Sequence, residues 1–408
     1  MKRTKILFIY PINLVLVYSC VTSYQPDIPA SDTRILVVEG QITDEVGPFR
    51  VKLSNTFDVD AMQQYGEPVS TANVQIFDDQ GNLYQLNYIS EGWYETEDTL
   101  LQGVPGNTYT LNITTDDGTQ YESTPVLMQE VPSIDSVYFE EVTKTRFENG
   151  EAIDENWLDI FVDAHDPSGQ TNYWKWDFEE TWEVDTPKDS VHININPEDG
   201  PSYTIAVNLE FEKGNVQRGW DNKKERCWVT KPSASILIES TNSQSVDEIL
   251  HYAINSIAPD IDKLHIKYSI LVKQYALSKE MYNYWQKLKE FNEETGGMYD
   301  RIPQQVFANI VCCDGQSKAL GYFWVSAVKT KRIFISSHDI QVKTKNAYDE
   351  CGYFYPDKSK ILYYFGTVTE VSNPKYKSFI GLEYWFGSEW CVDCRVYGTN
   401  KKPDFWEE

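Results

Sequence analysis

The sequence predicts a mainly β protein: an N-terminal antiparallel β-sandwich of the immunoglobulin-like or transthyretin-like kind, followed by a larger β-rich domain with one or two helices. Short runs that alternate apolar and polar residues recur between Asp/Gly turns from Ile35 to Ser123, the period-2 signature of half-buried strands. The clearest 3.6-residue period is confined to one stretch near Ser278. Hydrophobic residues at 41% and aromatics at 14% supply enough apolar surface for real cores, which excludes a disordered chain.

Residues 1–19 read as a lipoprotein signal peptide. Lys2, Arg3 and Lys5 form a basic start, and Ile6 to Val17 is apolar apart from Pro11 and Asn13. That run is about a dozen residues, short of the ~20 a spanning helix needs. It has the length of a secretory h-region, with small Ser19 before the cleavage point. Cys20 follows directly, an arrangement that resembles the lipobox of bacterial lipoproteins, whose cysteine thiol is acylated; Tyr18 departs from the small residue usual there. Each buried methylene contributes ~0.8 kcal/mol, so two or more acyl chains give a stable anchor. Residues 20–33 read as a tether, polar and Pro-bearing with no apolar period.

The N-terminal sandwich is expected over residues 34–131. Its strands start at Ile35 to Gly40, Phe49 to Ser54 and Ala72 to Phe77; the turn Asp78 to Asn82 then leads into Leu83 to Tyr88. Trp93-Tyr94, Thr108 to Thr114 and Gln120 to Ser123 continue the rhythm to a boundary at Val131-Pro132. The second domain is expected over residues 132–408. Within it, Tyr173 to Phe178 alternates Trp174 and Trp176 with Lys175 and Asp177, which puts one aromatic face inward. Residues 185–232 are polar, with a strand near Tyr203 to Phe211; Ser245 to Ile257 reads as a short helix and Leu264 to Tyr275 as a long strand. The main helix is expected over 278–294. Ser278 is its N-cap, Met281, Tyr284, Trp285, Leu288 and Phe291 form one stripe, and Gly296-Gly297 stops it. Strands return at Val306 to Val311, Ala319 to Val328, Arg332 to Ser336 and Ser378 to Phe386.

A formal net charge of −26 repels nucleic acid and anionic lipid surfaces, so nucleic acid is excluded as a partner. Against that balance, Lys329, Lys331, Arg332, Lys343 and Lys345 cluster, and read as a solvated strand face. Of seven cysteines, Cys20 is assigned to the lipid. Cys227, Cys312, Cys313, Cys351, Cys391 and Cys394 are expected in disulfides, an even set in an exported chain.

Catalytic vocabulary is sparse, and the chain is not expected to be an enzyme or to need a metal or cofactor. The five histidines stand singly, and there is no His-Glu-x-x-His pair, Gly-x-Ser-x-Gly elbow or phosphate-cradling loop. Ser326-Ala327-Val328-Lys329 matches Ser-x-x-Lys only formally, because in a strand its ends point to opposite faces. Asp78-Asp79, Asp116-Asp117 and Asp166 lack calcium-loop spacing and read as turn residues. The 12 tryptophans and 27 tyrosines are the best binding clue, since aromatic platforms take sugars and peptides, although large β cores also consume them.

In order along the chain stand Leu36 to Thr43, Pro132 to Ser136, Leu277-Ser278 with Tyr282 and Trp285, and Asn309-Ile310 leading to Cys312-Cys313. Ala319 to Phe323, Cys391 to Arg395 and Lys402-Pro403 with Phe405-Trp406 complete the set. In this order the chain resembles Bacteroidota lipoproteins carrying domain of unknown function 4249. The resemblance implies a lipid-anchored outer-membrane protein, at the cell surface or the periplasmic face, working beside a TonB-dependent outer-membrane transporter in substrate capture or uptake. A surface adhesion or ligand-binding module without a transporter is the alternative. The family carries no established chemistry, so Cys20 is the only residue with an assigned role.

Overall fold

The computed structural model describes residues 35–56, 66–97, 101–185, 226–259, 261–294, 308–313, 319–345, 394 and 398–407. It also describes the backbone of strands within 190–217, 369–372 and 384–387. Cys20, the signal peptide and the tether lie outside the described residues. The fold is mainly β, as the sequence predicts, with a single α-helix among the described residues.

The N-terminal unit runs β1 (Leu36–Ile42), β2 (Arg50–Asn55), β3 (Glu67–Pro68), β4 (Asn73–Asp78), β5 (Leu83–Ser90), β6 (Trp93–Glu95), β7 (Thr108–Thr114), β8 (Gln120–Ser123) and β9 (Val126–Leu127). Strict alternation shapes these strands: Leu36, Val38, Gly40 and Ile42 of β1 are buried, while Val37, Glu39 and Gln41 face outward. Strand β5 pairs with β4 through Leu83 to Leu86 and with β6 through Asn87 to Ser90, so it passes from one layer to the other. Residues from both layers meet in one core, with Val38, Leu53 and Tyr94 on one side and Ile76, Leu111 and Ile113 on the other. That is a sandwich.

The second unit begins with β10 (Ile134–Glu148) and β11 (Glu151–His165), a long hairpin, followed by β12 (Tyr173–Asp185). Then come β13 (Ser190–Ile195), β14 (Tyr203–Asn208), β15 (Glu210–Lys213), β16 (Val216–Gln217), β17 (Arg226–Pro232), β18 (Leu237–Ser240), β19 (Glu248–Ile257) and β20 (Lys267–Ala276). The helix α1 (Lys279–Glu294) and β21 (Ile310–Cys312), β22 (Ala319–Val325), β23 (Val328–Ser336), β24 (Thr369–Ser372) and β25 (Tyr384–Gly387) follow. A β10-β11-β19 sheet faces a five-stranded sheet built on β17-β12-β20-β23. Their shared core joins Leu158, Ile160 and Val162 to Trp174, Trp176, Tyr268 and Ile270. Trp176 donates its indole N–H to Gln274 at 2.9 Å, and the Gln274 amide donates to the Pro132 carbonyl at 2.9 Å, which satisfies polar groups that burial would otherwise strand.

Three expectations are corrected. Ser245 to Ile257 contains no helix: β19 occupies it and pairs with β11. Register shifts beside Phe161 and Ala164 break its alternation, so Ile254 is buried although it is out of phase with buried Ile249 and Ile257. The boundary at Val131 is crossed by later strands, because β22 adds to β1 in parallel from Leu36↔Ala319 to Ile42↔Val325 and β21 pairs with β8. Residues 34–131 leave an open sheet edge at β1, and the chain returns to cover it.

The third correction is partial: of the six cysteines expected in disulfides, two pair as expected and Cys313 does not. Cys227 and Cys394 form a disulfide across 167 residues, tying the chain's end to β17. Cys313 carries an exposed free thiol, and Cys312 beside it is buried, its Sγ 3.3 Å from the Gln120 carbonyl oxygen. Cys351 and Cys391 lie outside the described residues.

The acidic turns are local acceptors. Asp166 takes the backbone N–H of Ser168 (2.8 Å), Gln170 (3.0 Å) and Thr171 (2.7 Å), together with the Ser168 hydroxyl (2.6 Å). Burial pushes its carboxyl up, but these hydrogen bonds outweigh burial and hold it down at about 2, against an ordinary 3.8. A depressed carboxyl stabilises the fold above its unfolded value and loses that contribution as pH falls toward the folded one. Stability is therefore expected to drop by about 2 kcal/mol between pH 4 and pH 2 through this group. Urea titrations across that range check it; Asp166→Asn should start less stable and lack this part of the decline.

Candidate functional site

A groove of about 520 Å³ lies where the outer face of the N-terminal sandwich meets α1 and β20. Its floor follows from strand register. Trp93 of β6 pairs with Lys52, Lys52 with Glu39, and Glu39 with Tyr322 of β22, giving one outward-facing row across four strands. Gln41 lies beside Trp324 in the next outward row. Outer sandwich faces are usually polar; this one carries three large aromatic residues.

The helix supplies a wall. Ser278 caps it as expected, its hydroxyl accepting the Met281 N–H at 3.2 Å. Of the predicted stripe, Met281 is buried, Tyr284, Trp285 and Leu288 are half-buried, and Phe291 is exposed. The stripe bridges the two units: Met281 and Trp285 pack with Tyr275, Leu277, Trp324 and Val328 in a third, smaller core. Tyr284 packs at a tilt against Tyr322 with ring centres 4.7 Å apart, and Trp285 meets Trp324 edge-on at 6.2 Å. Tilted and T-shaped pairs of this kind are favourable for aromatic rings.

Beneath the aromatics lies a charge that sequence patterning places in solvent. Lys175 is only 3% exposed, because the face of β12 opposite Trp174 and Trp176 is covered too. Its ammonium sits 5.2 Å from the Tyr275 ring centre, 4.9 Å from Trp285 and 5.2 Å from Trp324. It also donates to Asp177 at 2.5 Å. Burial pulls the lysine down from its ordinary range, and the Asp177 charge opposes the shift. Three electron-rich faces and a carboxylate replace the ammonium's lost water, so a buried charge fixes the rings that shape the groove.

The rim is polar. Arg50 pairs with Glu95 at 2.5 Å and Lys273 with Glu45 at 3.6 Å, while Glu39 is exposed. Burial, with the nearby Glu39 charge, pushes the Tyr284 phenol up to about 12; burial, with Glu280, does the same for Tyr322. Both phenols therefore stay protonated and can donate a hydrogen bond throughout the physiological range.

Other sequence candidates fall elsewhere. Ser326 is fully buried, its hydroxyl accepting from the Ala276 N–H at 3.2 Å and directing its one proton between the Ala327 carbonyl at 2.7 Å and the Ala276 carbonyl at 3.0 Å, while Lys329 is exposed. His165 pairs with Asp135 at 2.6 Å, and His251 stacks on Phe161 at 3.8 Å. In the basic cluster, Lys331 donates to the Asp135 carbonyl and Arg332 stacks on Phe405, so part of that patch is used within the fold. Among the described residues, no group of three or more His, Cys, Asp or Glu is placed to hold a metal ion.

Sequence reasoning missed Glu39, Gln41, Trp93, Tyr322, Trp324 and Lys175 as members of one place. A signal for part of it exists: Tyr322-Phe323-Trp324 puts bulky aromatics on both faces of one strand, which implies cover on both. Three stretches that carry the family resemblance, at 36–43, 277–285 and 319–323, converge on this groove.

The family profile described as Domain of unknown function (DUF4249) matches residues 21–332. No curated protein matches the chain.

Proposed function

The chain belongs to the DUF4249 family, and on that footing we propose that it is a Bacteroidota outer-membrane lipoprotein, anchored through Cys20, that captures a ligand without transforming it. It hands that ligand to a TonB-dependent outer-membrane transporter. The observation that supports capture is the aromatic groove. Its volume falls within the ~300–1,000 Å³ typical of ligand sites, and its mixture of stacked rings with a few polar groups is the usual composition of a binding cleft. The buried Lys175 beneath it adds rigidity, which favours binding by reducing the ordering cost.

No helix among the described residues is long and apolar enough to cross a membrane. Anchoring is assigned to acylation of Cys20 on the sequence around it, a cysteine directly after the expected cleavage point. Expression of the tagged full-length chain tests both halves of the proposal. Wild-type protein should enter the membrane fraction and co-purify with a TonB-dependent transporter, and Cys20→Ala should shift it to the soluble fraction. A monodisperse lipoprotein with no transporter, in a strain whose deletion leaves uptake normal, would favour the adhesion or stand-alone binding alternative.

A further inference from the structure

Resting on the groove as a capture site, we infer that its ligand is a neutral carbohydrate, with sugar rings stacked on Trp93, Tyr322 and Tyr284 and hydroxyls bonded to Glu39 and Gln41. Much of the backbone of the groove floor is already paired. Strand β1 is paired on both sides, by β2 and by β22. On the outer edge of β22, the Phe323 carbonyl accepts from the Asn309 side-chain amide at 2.7 Å, and the Phe323 N–H donates to the same side chain at 2.9 Å. At Phe323 an extended peptide therefore finds the β22 edge already occupied, which favours recognition by side chains.

Charge argues against an anionic ligand. Arg50 is held by Glu95, Lys273 by Glu45 and Lys175 by Asp177, and Lys52 lies over the Trp93 ring with its ammonium 5.4 Å from the ring centre. An incoming carboxylate or phosphate would have to displace one of these. Glu39 offers two acceptor oxygens, Gln41 keeps donor and acceptor capacity beyond its bond to the Tyr275 phenol, and the two phenols offer further donors, a set matched to hydroxyl groups.

Geometry supplies length. Trp93 and Tyr322 end a row three strand spacings long, about 14 Å, which suits two or three linked rings rather than one. The face of a sugar ring presents C–H bonds polarised by neighbouring oxygens, and these are drawn to the electron-rich faces of aromatic rings.

Full-length chain purified in detergent tests the assignment on arrays of neutral oligosaccharides, acidic oligosaccharides and peptides, followed by tryptophan-fluorescence titration of any binder. A neutral oligosaccharide of two or more units should bind saturably. Trp93→Ala and Glu39→Ala should each weaken it about tenfold with the thermal midpoint nearly unchanged; Glu39 is exposed, so its variant carries little folding risk. Binding confined to peptides or anionic glycans overturns the assignment, as does absence of any neutral binder or affinity indifferent to both variants. If the transporter co-purifies and no neutral glycan binds, only this assignment fails. If glycan binds and no transporter appears, the partnership fails and the ligand class stands.

Discussion

Gly321→Ala is expected to destabilise the protein by about 4 kcal/mol or more, into the range where a single substitution signals a specific mechanism. Gly321 lies in β22 with φ at +89°, and a Cβ placed there would stand 1.9 Å from the Val38 carbonyl oxygen. That atom belongs to the backbone of β1, directly opposite in the parallel pair. The strands cannot separate locally without losing the pairing that closes the N-terminal sandwich and sets the groove floor. Gly118 is the control, with φ at +84° and nothing within 4 Å of the point a methyl group would occupy. Gly118→Ala meets only the left-handed backbone penalty, about 1 kcal/mol. Urea denaturation of the two variants separates collision from conformation; equal losses would show that the close approach of β22 to β1 does not matter.

Trp324→Ala is expected to cost about 3–5 kcal/mol and to abolish ligand capture together with it. The indole is 6% exposed, meets Tyr275 edge-on at 5.1 Å and Trp285 at 6.2 Å, and covers the Lys175 ammonium. Its removal opens a cavity beside a buried charge and lets water in from the groove. Trp324→Phe keeps an aromatic face over Lys175 and should recover more than half of the stability, whereas Trp324→Leu fills volume without that face and should recover less. If leucine restores as much as phenylalanine, packing alone explains the site and the caged lysine has no structural weight.

Much of the fold was legible because strand alternation is local. The N-terminal strands, the turn at Asp78 and the Ser278 cap each follow from residues within a few positions of one another. Where a second interaction layer intervened, legibility failed. Lys175 looks like a solvent residue between two tryptophans, and only the packing of α1 and β22 on that face buries it. In β19, bulges in the pairing with β11 let Ile254 be buried out of phase with Ile249 and Ile257, so the stretch shows no clean alternation to read.

Composition and short-range period are enough to encode the β class, the main helix with its cap, and the even set of cysteines after Cys20. Packing at long range settled the rest. It brought residues 319–325 back to close a sandwich begun at residue 36, and it joined Cys227 to Cys394. It also gathered Glu39, Trp93, Tyr284 and Tyr322 around one groove. Contacts separated by tens to hundreds of residues depend on which sheet edge is left open and which face is left uncovered, and no local pattern records either.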